Sequence, residues 1–181
     1  NDTQPNALFV NQGNGSFEEE GIIAGIAFDD RGLAKAGMGV DSAYFGEQLL
    51  VAVGNFSKEA LSFFKKRNRF GFIDSAGRYG LTRETLANLT FGVKFFDSNN
   101  NGFQDLFIVN GHIEPDVEKV LSEITYRQSP QLFINRDNKR FIPDENVFKK
   151  IVPEGIVGRG LAVGDINLEG KLDLVISTNN D

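Results

Sequence analysis

Short apolar runs alternate with tight polar turns along the whole chain. The clearest case is Phe95-Phe96, then the polar stretch Asp97 to Gln104, then Leu106-Phe107-Ile108-Val109. β-Branched and aromatic runs bounded by Asn, Asp and Gly are strand signals, so this polar stretch joins two strands. The same succession returns at Val163 to Ile176 and, in degenerate form, at Gly39 to Val51. A second succession interleaves with the first. Leu8-Phe9-Val10-Asn11-Gln12-Gly13-Asn14-Gly15-Ser16-Phe17 sets a Gly-Asn-Gly turn between two β-like runs, which is a hairpin signal. It recurs from Leu61 to Phe70 and from Leu132 to Phe141, each time with Phe nine positions after Leu.

Steps of 53 and 71 residues separate Leu8, Leu61 and Leu132, and steps of 56 and 68 separate Asp41, Asp97 and Asp165. The two motifs therefore alternate as one unit, two strands around the polar loop and then two around the Asn/Gly turn. Four short antiparallel strands in a repeat of this length predict an all-β chain, built as a β-propeller or an arc of one. The chain reads as a single repeat domain, 1–181, with an outer half-blade at 1–20, blades at 36–75 and 90–145, and an inner half-blade at 158–181. Connections account for the unequal steps. Pro115 to Ile124, with apolar residues at 117, 120, 121 and 124, predicts a short amphipathic helix. Thr82 to Leu89 predicts a helical turn, and Phe28 to Gly32 an exposed one.

The polar loops carry candidate chemistry. Calcium takes about six to eight oxygen ligands, and a tight loop can aim alternate side chains and one carbonyl inward if glycine makes the sharp turn. The first complete loop offers Asp97, Asn99, Asn101 and Asp105, the Phe103 carbonyl, and Gly102 as the turn. The second offers Asp165, Asn167, Glu169 and Asp173, the Lys171 carbonyl, and Gly170. Two calcium sites are expected. The copy at Asp41 keeps Gly46 but has Ala43, Phe45 and Leu49 at donor positions, so no ion is expected there. An EF-hand is excluded because its twelfth position must be a bidentate Glu between helices, whereas here it is Ile108 in a β-like run.

Composition narrows the partners. A net charge of −6 argues against nucleic acid, which calls for a basic face. The aromatic residues are nearly all Phe, so they read as core filler. Without cysteine there is no disulfide framework and no thiolate site. No apolar stretch reaches membrane-spanning length, and no signal-peptide pattern opens the chain. The ends, Asn1-Asp2-Thr3-Gln4 and Thr178-Asn179-Asn180-Asp181, read as cuts at one phase of a repeat.

The alternation of Asp-x-Asn-x-Asn-Gly-x-x-Asp-Leu with Leu-Phe-x-Asn-x-Gly-x-Gly-x-Phe resembles FG-GAP/VCBS repeats. Ala36-Gly37-Met38-Gly39-Val40-Asp41, Asn110-Gly111-His112 and Asn1 to Asn6 are closer still to the VCBS-repeat region of ASPIC/UnbV-type proteins, the group that includes cartilage acidic protein. The resemblance implies a calcium-binding propeller of the integrin alpha-subunit kind. It also implies an extracellular, cell-surface or periplasmic setting and a scaffold role in contacts such as cell adhesion, with protein or carbohydrate as partner.

The rival reading is a calcium-dependent polysaccharide-active enzyme on such a propeller. It would start from His112, the lone histidine, with Glu114 and Asp116 nearby, but no second histidine or cysteine is present to complete a transition-metal site or a nucleophile and base pair. A non-enzymatic module is expected. Lys65 to Arg69 is the one basic run, placed in the turn of the middle hairpin, and Asn14, Asn55 and Asn88 stand in Asn-x-Ser/Thr triplets. Three blades are too few to close around an axis. The chain is therefore expected to belong to a larger propeller or to pair with another copy.

Overall fold

The structure, a computed structural model, describes residues 3–68, 71–144 and 146–179. Six strands fill its first half: β1 (Phe9–Asn11), β2 (Phe17–Glu19), β3 (Val40–Phe45), β4 (Gln48–Val53), β5 (Ser62–Asn68) and β6 (Gly71–Asp74). After helix α1 (Thr82–Thr85) come β7 (Thr90–Phe96), β8 (Asp105–Asn110), β9 (Gln131–Arg136) and β10 (Arg140–Asp144). Helix α2 (Val147–Ile151) precedes β11 (Gly158–Gly164) and β12 (Asp173–Thr178). β3 to β6 form one four-stranded sheet in sequence order, β7 to β10 a second, and β1–β2 and β11–β12 make two-stranded sheets. All pairings are antiparallel. The four-stranded antiparallel sheets expected from the alternating motifs are present.

Apolar residues on both faces explain why the sheets stack. Every residue of β8 is buried. Leu106 and Ile108 join one core with Leu50, Phe63, Phe95, Phe133 and Phe141, which lies between the two four-stranded sheets. Phe107 and Val109 join another with Leu161, Val163 and Leu174, which lies against β11–β12. The alternation of a strand buried on both sides is thus hidden in a continuous apolar run. A third core, with Phe64, Val53 and Ile26, couples the first four-stranded sheet to the segment around Leu8. The leading strands run side by side, β7 next to both β3 and β11. Gly39 and Gly92 permit this: a Cβ on Gly39 would collide with the Phe91 carbonyl, and one on Gly92 would stand 2.7 Å from Leu161 Cβ.

Two local expectations need correction. Pro115 to Ile124 contains only a 3₁₀ turn, Val117–Lys119. Val117 and Ile124 are buried, but Val120 is 83% exposed, so the stripe has no surface to lie on and a short helix cannot recover its nucleation cost. Lys65, Lys66 and Arg67 belong to β5 and not to the turn, while Arg69 and Phe70 lie outside the described residues, as do Asn1, Asp2, Asn180 and Asp181. The turn at Phe28 to Gly32 is exposed at Asp30, Arg31 and Gly32, as expected, and is anchored from below by buried Asp29. Its carboxylate accepts the Arg31 and Leu33 N–H groups at 2.9 Å and pairs with the Arg31 guanidinium.

Candidate metal centre

The loop between β7 and β8 is folded around Asp97. Its Oδ1 accepts the Asn101 N–H at 3.0 Å and its Oδ2 the Gly102 N–H at 2.7 Å. Burial alone would raise the Asp97 pKa, but the N–H groups of Gly102, Asn101, Asn99 and Asn100 outweigh it and hold the carboxyl below its ordinary value. Asp105 closes the loop. Its Oδ2 accepts the Ser98 N–H at 3.2 Å and the Ser98 hydroxyl, and its Oδ1 accepts the Asn135 N–H at 2.8 Å. Asn101 Oδ1 accepts the Phe103 N–H.

The loop between β11 and β12 repeats the scheme. Asp165 accepts the Glu169 and Gly170 N–H groups at 3.1 and 2.8 Å, and Asp173 accepts the Ile166 N–H at 2.9 Å. Left-handed backbone falls at matching places: Asn100 and Leu168 at the fourth position, with φ of 58° and 59°, and Gly102 and Gly170 at the sixth, with φ of 86° and 84°. The fourth position is costly for leucine, because αL strain is otherwise taken up by Gly or Asn. In both loops the first carboxylate takes N–H groups five and six, and the ninth takes N–H two.

The donor set fits a hard cation in kind, being all oxygen with two formal negative charges in the first loop and three in the second. The loops differ in what the carboxylates have left. Both oxygens of Asp105 are engaged and the residue is fully buried. Among the described residues Asp173 uses one oxygen, and Asn167 Oδ1 accepts only the Glu169 N–H. Glu169 turns toward Lys171, at 3.7 Å. Among the described residues no three His, Cys, Asp or Glu side chains converge on one point.

Asp41 lies within β3, and the loop that follows has shrunk to a two-residue turn, with Phe45 paired to Gln48 and Gly46 at φ 63°. A glycine with positive φ at the first central position is what a II′ hairpin asks for. Asp41 instead ties two sheets together, accepting the Phe95 N–H at 2.9 Å and pairing with Lys94 at 3.2 Å.

His112, just after β8, is 5% exposed. Its Nδ1 accepts the Glu114 N–H at 3.1 Å, which leaves the proton on Nε2, facing Ser57 Oγ at 3.4 Å. A general base would need Nε2 free to accept from that hydroxyl. Glu114 accepts the Asp116 N–H and Asp116 pairs with Lys119, so neither carboxylate serves the ring. Arg159, which sequence reasoning did not single out, holds this end of β8. It donates to the carbonyls of Gly111 and His112 at 2.9 and 3.0 Å, with its guanidinium 4.3 Å from the centre of the Phe91 ring. A lone Arg between Gly158 and Gly160 was the only signal for it.

Of the Asn-x-Ser/Thr triplets at Asn14, Asn55 and Asn88, only the first has an exposed Asn. Asn55 is 1% exposed and donates to the Ala60 carbonyl, and Asn88 donates to Gln131 Oε1 at 2.6 Å. No protein-family model and no curated protein sequence matches the chain. Among the described residues no helix is long and apolar enough to cross a membrane.

Proposed function

We propose that the chain is a calcium-stabilised module of the β-propeller type, an FG-GAP/VCBS-like repeat region. In this reading it acts as a binding or structural scaffold for protein or carbohydrate, outside the cell or at its surface. The observation that carries it is the hydrogen-bond scheme shared by the loops at Asp97 and Asp165, two turns of different sequence folded to one donor arrangement. The core shared by the two four-stranded sheets, and the one shared by the second of them with β11–β12, support the propeller part. The His112 tautomer supports a non-catalytic role.

Calcium in these loops acts on stability. With a dissociation constant of about 0.1 mM per site, about 2 mM free calcium adds roughly 1.8 kcal/mol per site by mass action. Calorimetric titration is expected to give two sites. Asp97→Ala and Asp165→Ala are each expected to remove one, and the three-charge loop at Asp165 to bind tighter. Two sites persisting in either variant, or a melting temperature indifferent to chelator, refutes the assignment.

A further inference from the structure

The chain carries a formal charge of −6, yet its cations are unevenly placed. Lys65 and Arg67 lie on β5, where a bulge between Lys66 and Asn68 breaks the strict alternation at Arg67 and leaves both residues beside one depression. Arg78, exposed in the connection after β6, comes round to the same side, and the three border an open depression of about 600 Å³ together with Gln48, Ile73 and Ser75. Beyond it the basic band continues to Arg140, whose Nε lies 3.1 Å from where a Cβ on Gly80 would stand. The Phe141 N–H donates to the Tyr79 carbonyl at 2.9 Å, which fastens the Arg78 connection to β10.

Among the described residues none of Lys65, Arg67, Arg78 or Arg140 is in an ion pair. Two acidic residues border the depression. Asp74 is engaged, accepting the Phe63 and Ala76 N–H groups and facing buried Lys35 at 3.7 Å. Asp30 stands exposed at the rim. Like charges gathered without partners raise a local positive potential on an otherwise acidic molecule. Guanidinium groups match planar or tetrahedral oxyanions through paired N–H donors.

We propose that this depression binds the sulfate or carboxylate groups of an acidic polysaccharide. The inference deepens the scaffold reading and rests on it. A broad anionic surface, such as a duplex or a membrane, would meet the repulsion of the whole chain, whereas a narrow chain can enter between Asp30 and the three cations. Gln48 and Ser75 add neutral hydrogen-bonding groups suited to sugar hydroxyls: Ser75 Oγ donates to the Ile73 carbonyl and keeps its lone pairs, and Gln48 donates to the Lys66 carbonyl and keeps its own carbonyl oxygen.

The test is an NMR and calorimetric titration of the whole chain with a sulfated oligosaccharide of defined length, a neutral one of equal length, and a polyglutamate peptide. The sulfated sugar is expected to bind, to weaken as salt screens the contact, and to shift signals at Lys65, Arg67, Ile73, Ser75 and Arg78. Lys65→Glu/Arg67→Glu and, separately, Arg78→Glu are each expected to weaken binding roughly tenfold or more. Lys66→Glu, on the opposite face of β5, is expected to change it less than about twofold. Arg78→Glu alters an exposed connection, so it decides the matter if the strand variants do not fold. No binding of the sulfated sugar, an equal loss in Lys66→Glu, or polyglutamate binding as tightly overturns the proposal. Equal affinity for the neutral sugar overturns it while leaving the scaffold reading in place, and the calcium titration judges that reading independently.

Discussion

Burial lowers the His112 pKa and outweighs the opposing influence of Glu114, with the Arg159 charge adding a lesser push downward. The unfolded chain takes up a proton near the ordinary value of about 6.5, where the folded chain does not. Stability is therefore full above that value and is lost as pH falls from about 6.5 toward the lowered folded value. Denaturant melts across that interval are expected to show this slope in the wild type and a flatter one in His112→Gln. Equal slopes would mean that the ring is not the group responsible. Asp97 behaves in the opposite chemical sense but the same pH sense. Its lowered pKa contributes stability above the ordinary carboxyl range and loses it as pH falls through the folded value.

The two carboxylates of the first loop are expected to divide architecture from the proposed calcium binding. Asp105 is buried and holds the Asn135 N–H of β9, so it joins the metal-type loop to the hairpin motif of the same sheet. Asp105→Ala would leave buried donors without partners, and it is expected to cost roughly 2 kcal/mol with or without calcium. Asp97 is more open, and its N–H partners can turn to water, so Asp97→Ala is expected to lower the melting temperature mainly when calcium is present. Equal losses in chelator for the two variants would contradict this division. The shared turn of the two polar loops was legible because a loop closing on itself repeats at fixed positions. The link from Asp105 to Asn135 was not, since the sequence does not say which backbone group a buried carboxylate will meet 30 residues away. The same limit explains β5. Lys65 and Arg67 read as turn residues by composition, but the pairing of Leu50 with Lys65 on one edge, and of Lys66 with Phe72 and Asn68 with Gly71 on the other, carries the strand past them. Pairing with a neighbouring strand overrode local polarity.

At the scale of the molecule, the order of the strands was legible from two interleaved motifs, whereas the interlocking of the sheets was not. Phe45, Phe63, Tyr79, Phe95 and Phe141 come from separate parts of the chain and meet in one aromatic cluster, with Phe63 centred 4.8 Å from Tyr79 and 5.5 Å from Phe141. Phe63→Ala is expected to cost about 3–5 kcal/mol and to loosen both four-stranded sheets together. The two-stranded sheets answer to different physics. β1 and β2 are mostly exposed, with Phe9 and Phe17 more than 60% open to solvent. β12 has a strand partner on one edge only among the described residues. An isolated pair of strands is marginal in water, and an unpaired edge is a template for another strand. Hydrogen exchange of the 181-residue chain is therefore expected to be slowest in β8, buried on both faces, and fastest in β1–β2. β12 is expected to gain protection as concentration rises, because a second copy can offer the edge of its β1 and complete a four-stranded sheet. Sedimentation run alongside the exchange decides the matter. A monomer at all micromolar concentrations, with β12 as protected as β8, would show that the edge is not available for pairing.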